Sequence, residues 1–278
     1  MRFAFKTSPQ QTSWNALLEV WRAADEIEIF ESGWTSDHFY PVHSADPAVP
    51  RLEGWVTLTA LAQATVRLRL GTLVTGIHHR HPAVLANMAA TLDIVSGGRL
   101  ELGLGAGWNK DESTAYGIEL GTPKQRSDRF EEACAVITGL LAQETTTFRG
   151  DHYELTEARC DPKPVQRPYP PLCIGGRGEK RTLRTAARFA RHWNSDRATV
   201  EQFVRARDVL HGHCADIGRD PAEILMSNQV RFKGDPAAAA AEAAAFGEAG
   251  SELAIVYLPT PYTPVVLEPL AEALGQLT

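Results

Sequence analysis

A short apolar or alternating stretch followed by a longer amphipathic one returns about every 35 residues along this chain, and few folds accommodate that beat. RFAFKT (Arg2 to Thr7) alternates like a strand, and Ser13 then caps a helical run ending near Ile27. GWTSDHF closes a second strand. A helix follows over Gly54 to Val66, then a strand over Leu68 to Gly76, then a helix opened by Pro82 that stops at the Gly97-Gly98 pair. Leu100 to Trp108 is an apolar, glycine-punctuated run suited to a buried parallel strand, and helical patterns cover Asp111 to Tyr116 and Arg126 to Gln143. The beat lapses over about residues 145–170, where TTFRGDHYEL reads as a hairpin around Gly150 and the prolines from Pro162 to Pro171 enforce extended chain. It resumes with strand PLCIGG, helix Glu179 to Ala190, strand HWNS and helix Thr199 to Ile217. Strand LMSNQVRFKG, helix Pro236 to Glu248, strand LAIVYLP and a last helix over Val265 to Leu277 complete it.

Eight strands alternating with eight helices in continuous parallel order close most naturally into a (β/α)8 TIM barrel, with an open doubly wound sheet as the alternative. The expectation is an α/β fold, one barrel domain over residues 1–278 with an insertion after the fourth strand. The 278 residues suit it, since such barrels run to about 250 residues as a single domain.

Composition narrows the partners. Lys and Arg number 28 against 34 Asp and Glu, a net charge of −6, with no basic run to neutralise phosphates, which argues against nucleic acid. Apolar runs are too short to span a bilayer, and MRFAFKTSPQ lacks the apolar core of a signal peptide, so the expectation is a cytoplasmic protein that does not enter membranes. Cys134, Cys160, Cys173 and Cys214 form no Cys-x-x-Cys pair and read as reduced, structural thiols.

In a barrel the chemistry sits just past the strand C-termini. The second strand ends in Trp34-Thr35-Ser36-Asp37-His38-Phe39-Tyr40, where an imidazole that titrates near neutrality could have its tautomer fixed by a neighbouring carboxylate. A capping Asp and a structural His fit the same residues. The fourth strand ends in Gly103-Leu104-Gly105-Ala106-Gly107-Trp108, which would let a flat ring approach the backbone or, equally, let strands pack tightly. The fifth runs into Gly175-Gly176-Arg177-Gly178, a glycine-rich turn before a helix with Lys180 and Arg181 nearby, suited to a phosphate or to no ligand at all. His78-His79-Arg80-His81-Pro82 is not read as a metal site, because adjacent histidines diverge, no acidic partner has ligand spacing and Arg80 repels a cation. Neither a Rossmann fingerprint nor a Gly-x-Ser-x-Gly elbow is present.

Taken jointly, WTSDHF (Trp34 to Phe39), the run from Leu70 to Glu112, the run from Ile174 to Asn194 and LAIVYLP resemble the luciferase-like monooxygenase superfamily, in particular its branch that uses the deazaflavin coenzyme F420. The resemblance covers nearly the whole chain. It implies a coenzyme F420-dependent oxidoreductase in which the deazaflavin C5 exchanges a hydride with a small organic substrate while His38 moves the proton. It implies a ring contacting Asp37, His38, Leu73, Val74, Gly105, Ala106 and Gly107, a phosphodiester at Gly175, Gly176, Arg177 and Gly178, and a non-proline cis peptide at Leu73-Val74. It implies a deazaflavin reductase as partner system and leaves a homodimer through the outer helices open. Sugar-phosphate dehydrogenases of this branch carry an acid where this chain has Trp108, so Trp108, Phe39, Tyr40 and Trp55 point instead to an apolar or aromatic substrate pocket. The rivals are an FMN-dependent monooxygenase on the same fold and a deazaflavin- or flavin-binding protein without turnover.

Overall fold

A computed structural model describes residues 1–44 and 46–277. In chain order its strands are β1 (Arg2–Lys6), β2 (Phe30–Asp37), β3 (Arg69–Gly76), β4 (Leu100–Gly105), β5 (Thr146–Arg149), β6 (Glu154–Ala158), β7 (Leu172–Gly175), β8 (His192–Ser195), β9 (Leu225–Arg231) and β10 (Leu253–Tyr257). The helices are α1 (Trp14–Asp25), α2 (Gly54–Ala64), α3 (Pro82–Val95), α4 (Lys110–Ala115), α5 (Pro123–Ala142), α6 (Thr182–Phe189), α7 (Val200–Asp216), α8 (Pro236–Glu248) and α9 (Leu267–Gly275). Eight strands close a parallel barrel in the order β1-β10-β9-β8-β7-β4-β3-β2, and β5 and β6 form a separate antiparallel ribbon where the beat lapses. The closed ring excludes the open-sheet alternative. It also sets β1 diametrically opposite β7, four steps round either way.

Parallel strands covered on both faces must be apolar along their length, and β4, LELGLG, is buried at every residue. Between strands and helices, Phe5 meets Trp21 and Phe30 edge to face at centroid distances of 5.2 and 5.8 Å. A buried polar string crosses the barrel strands. The Glu101 carboxylate bonds His192 Nδ1 at 3.0 Å, His192 Nε2 meets Ser227 Oγ at 2.6 Å, and Asn194 joins Ser227 to Gln229. Burial opposes ionisation of Glu101, but His192 and Arg69 outweigh it and pull its pKa down to about 2.

Helix starts differ from the sequence pattern by three residues at two places, each for a local reason. α5 begins at Pro123 rather than Arg126, because Thr122 and Gln125 form a reciprocal capping box and Pro123 fits the first turn. α6 begins at Thr182 rather than Glu179. Arg181 at its N-cap makes no side-chain cap, and the Arg181 and Leu183 amides instead turn back to the Gly178 carbonyl. Nine α-helices are present among the described residues, because β4 is followed by two, where the sequence carries two helical patterns. All four cysteines are buried and free.

Candidate active site at the barrel mouth

Residues at or just past the C-terminal ends of all eight barrel strands line one cavity of about 1150 Å³. A closed parallel barrel converges its loops there, and the volume is ample for a ligand of coenzyme size with a small molecule beside it.

His38 projects from the end of β2 with its side chain 15% exposed. Its Nδ1 lies 2.8 Å from Glu112 Oε2 on α4, and its Nε2 has no protein partner among the described residues. Glu112 is fully buried, and its Oε1 accepts the Phe39 and Tyr40 amides at 2.6 and 3.1 Å. Burial alone would raise its pKa, but hydrogen bonds from His38 and the Phe39 amide and the nearby His79 imidazole hold it far below the usual carboxylate range. An ionised Glu112 therefore accepts from His38 Nδ1 and fixes the orientation of the ring. The sequence reading gave that orienting role to Asp37, and the structure corrects it. Asp37 is buried and bound bidentately by Arg80 at 2.6 and 3.1 Å, away from the cavity wall and from any ring lying there.

Behind His38 lies His79, its Nε2 3.3 Å from Glu112 Oε2 and its Nδ1 3.9 Å from Asp37 Oδ2. Both are ion-pair contacts without hydrogen-bond direction, and they raise the His79 pKa against the effect of burial. His78 stands in the opposite condition. Burial lowers its pKa to about 4, and neither of its nitrogens finds a partner. His38 Nδ1, His79 Nε2 and Glu112 Oε2 all lie within 4.8 Å of one another. The fold thus supplies the acidic partner that the metal argument found missing, and Arg80 is neutralised by Asp37 and Glu53.

The Leu73-Val74 peptide is cis. Leu73 and Val74 both face the cavity, and the Val74 side chain fills space that neighbouring glycines leave open. A Cβ on Gly105 would stand 2.6 Å from Val74 Cγ2 and one on Gly175 3.0 Å from Val74 Cγ1, while one on Gly107 would overlap the His78 ring. Close packing is therefore the direct reason for these glycines. Its consequence is a wall of bare backbone, Gly105, Ala106, Gly107, Gly175 and Gly176, along the β4 and β7 side. Gly176 has φ +115°, and a Cβ there would meet only Thr182 Cγ2 at 3.4 Å.

Lys6 enters from β1, buried, its Nζ donating to Leu73 O at 3.1 Å and Gln229 Oε1 at 3.3 Å. Burial lowers its pKa to about 8; Arg197, Arg51 and Arg231 push the same way and Asp196 opposes them. Arg51 braces the loop before α2, donating to His38 O, Gln10 Oε1 and Ser36 Oγ. Neither cation, nor Glu112, stood out from the sequence. Lys6 reads as one polar position of an alternating strand, and Glu112 lies 74 residues from the histidine it orients.

The remaining sequence-derived site residues divide. Of the aromatic four, Trp108 alone lines the cavity, stacked on His43 at 5.5 Å. Trp55 is core, its Nε1 donating to Thr75 Oγ1, and Phe39 packs against His79 and Tyr116. Tyr40 is held by Glu112 and also lies off the wall. Gly175 and Gly176 line the cavity, whereas Arg177 turns outward to Gln202 and Gly178 lies behind Thr182. The Gly176 amide is already given to the Asn194 carbonyl.

A closed (β/α)8 barrel with a histidine-carboxylate pair and a bare-backbone wall at its mouth defines a ligand-binding barrel of the enzyme type. The sequence pattern of the luciferase-like monooxygenases matches residues 1–268, and the chain belongs to that family. It is 35% identical over 191 residues to the F420-dependent glucose-6-phosphate dehydrogenase of Microbacterium testaceum (strain StLB037), covering 68% of this chain and 55% of that one. It is 34% identical over 221 residues to the phthiodiolone/phenolphthiodiolone dimycocerosates ketoreductase of Mycobacterium bovis (strain BCG / Pasteur 1173P2), covering 73% and 57%. The matched stretch thus spans little more than half the length of these relatives. An F420-dependent secondary alcohol dehydrogenase in complex with an F420-acetone adduct superposes with a TM-score of 0.90 at 21% identity over 100% of this chain and 99% of that one, a likeness of fold. No described helix is long and apolar enough to cross a membrane.

Proposed function

We propose that this protein is a coenzyme F420-dependent oxidoreductase that exchanges a hydride between the deazaflavin and a small organic substrate, with His38 as the proton-transfer residue. The observation that carries the reading is His38 itself: Nδ1 held at 2.8 Å by a buried, ionised Glu112, and Nε2 left to the cavity. The F420-dependent relatives support the choice of coenzyme.

The residues present fit such a group. A flat ring needs a wall without bulky side chains, and Gly105, Ala106 and Gly107 offer one beside Leu73 and Val74. An anionic tail needs cations, and the wall carries them in excess of carboxylates. The phosphodiester belongs at Gly175, Gly176 and Thr182. Arg177 and Gly178, which face away, play no part.

When bound, the deazaflavin supplies hydride transfer at C5; the protein supplies orientation, a dry mouth and the proton. Glu112 keeps the His38 ring fixed so that Nε2 addresses the substrate atom that gains or loses the proton. His79, between two carboxylates, holds Glu112 in place. Val74 and the glycines around it set the wall against which a ring is pressed.

The test is a spectroscopic screen. Protein and coenzyme are mixed with alcohols or, for the reduced coenzyme, with ketones and aldehydes, and the visible absorbance is followed. A substrate-dependent change that slows about 10²–10⁴-fold in His38→Ala, with coenzyme affinity kept, is expected. Near wild-type turnover in that variant with chemistry rate-limiting would make His38 a structural histidine.

A further inference from the structure

The chain carries a net charge of −6, yet the wall of its cavity has the opposite sign: Lys6, Arg51, Arg197, Arg231 and Lys233 against Asp196 and Glu242. Two of these cations are set apart from the rest. Lys6 is buried and Arg51 half-buried, and among the described residues neither has a carboxylate within ion-pair distance. A buried charge without a counter-charge costs several kcal/mol, and proteins retain one chiefly where a ligand supplies the partner.

Their neutral partners do not use them up. The Lys6 ammonium has three N–H groups and places two, on Leu73 O and Gln229 Oε1. The Arg51 guanidinium has five and places one on His38 O, one on Gln10 Oε1 and two on Ser36. One N–H remains on each, which is what the two oxygens of a carboxylate accept.

The two cations come from the β1 side of the barrel, and the Lys6 ammonium reaches inward to Leu73 O of β3. Lys6 ends β1, Arg51 is bridged to the β1 loop through Gln10, and Tyr257 of β10 has its ring 5.2 Å from the Lys6 ammonium. β1 lies diametrically across the barrel from β7 and directly beside β2, which carries His38. The anion that Lys6 and Arg51 await is therefore at the barrel mouth where Lys6 meets Leu73 and where Arg51 holds the His38 carbonyl, beside the proton-transfer group.

We infer that the substrate is an organic anion, a carboxylate, read by Lys6 and Arg51 at the barrel mouth beside His38, with its reacting carbon close to that carboxylate. The word substrate rests on the proposed function; the anion site itself does not. The aromatic pocket expected from the sequence gives way here to a charged one.

The experiment compares benzoate with benzamide, matched in shape and differing in charge, by calorimetric titration of the full chain with and without coenzyme F420. Benzoate should bind roughly 10- to 100-fold more tightly in both states, the worth of charge-assisted hydrogen bonds. Lys6→Met should bring the two ligands within about threefold, and Lys6→Arg should keep most of the preference. Thermal unfolding of Lys6→Met, expected at or above the wild-type midpoint, separates lost recognition from lost fold. Equal affinities in the wild type, or benzoate displaced by the coenzyme, would overturn the inference. A coenzyme that fails to bind while the Lys6-dependent preference persists would instead remove the proposed function and leave the anion site standing.

Discussion

Glu112 and Lys6 are opposite cases of a buried charge, and each predicts a pH dependence of known sign. Glu112 has its folded pKa depressed by His38 and His79 against the effect of burial. The stability it contributes is present above its ordinary value of 4.5 and is lost as pH falls toward the lower folded value. Glu112→Gln should therefore cost about 1–3 kcal/mol at neutral pH by denaturant titration, with the difference from wild type shrinking on acidification. A constant difference from pH 7 to pH 3 would show that His38 is held by something other than the carboxylate charge. Lys6 is lowered by burial from 10.5 to about 8, so the unfolded chain binds the extra proton between those values. Wild-type stability should rise with pH across that window, and Lys6→Met should remove the rise. If both proteins show the same slope, Lys6 is solvated and the charged-cavity argument loses its base.

At the scale of elements, the approach of β3 to β4 is what the glycines permit. A Cβ on Gly103 would overlap the Thr72 carbonyl oxygen, a backbone atom that cannot turn aside. Gly103→Ala should accordingly lower stability by about 3 kcal/mol or more, visible as a lost or shifted thermal transition. A transition within a degree or two of wild type would mean that β3 and β4 can separate freely. Elements were also where the sequence was most readable. Ser13, Pro82, Thr199 and Pro236 mark helix starts by cap chemistry that acts over three or four residues, and the helices begin there or one residue on. α6 was misread by three residues because its start carries no side-chain cap, so its signal was composition alone. The Thr122-Gln125 box lies ahead of the first apolar position of α5, so apolar spacing alone places the start too late.

At the scale of the whole molecule, legibility falls with sequence separation. Closure of eight strands follows from count and order, and the mouth from closure, so His38, Gly105 and Gly175 could be placed there in advance. Which carboxylate meets His38 depends on how α4 folds back over β2, and no local pattern encodes that. Asp37 was one residue away in sequence and points elsewhere. For the same reason the histidine run looked isolated until Glu112 arrived beside it. The reading of His38, His79 and Glu112 as an electrostatic cluster without metal makes its own prediction. Exhaustive dialysis against a chelator should leave coenzyme-dependent turnover unchanged, and loss of activity restored by a divalent cation would make the cluster a metal centre.

The central claim is that the bare-backbone wall and the cationic mouth hold a deazaflavin. It is tested most directly by fluorescence titration of the purified protein with coenzyme F420 and, in parallel, with FMN, each repeated on Gly176→Val. The account predicts saturable binding of F420 well tighter than that of FMN, and weaker binding in the variant, where a branched side chain at φ +115° enters the cavity beside Thr182. Preferential binding of FMN, or binding of neither, would contradict it.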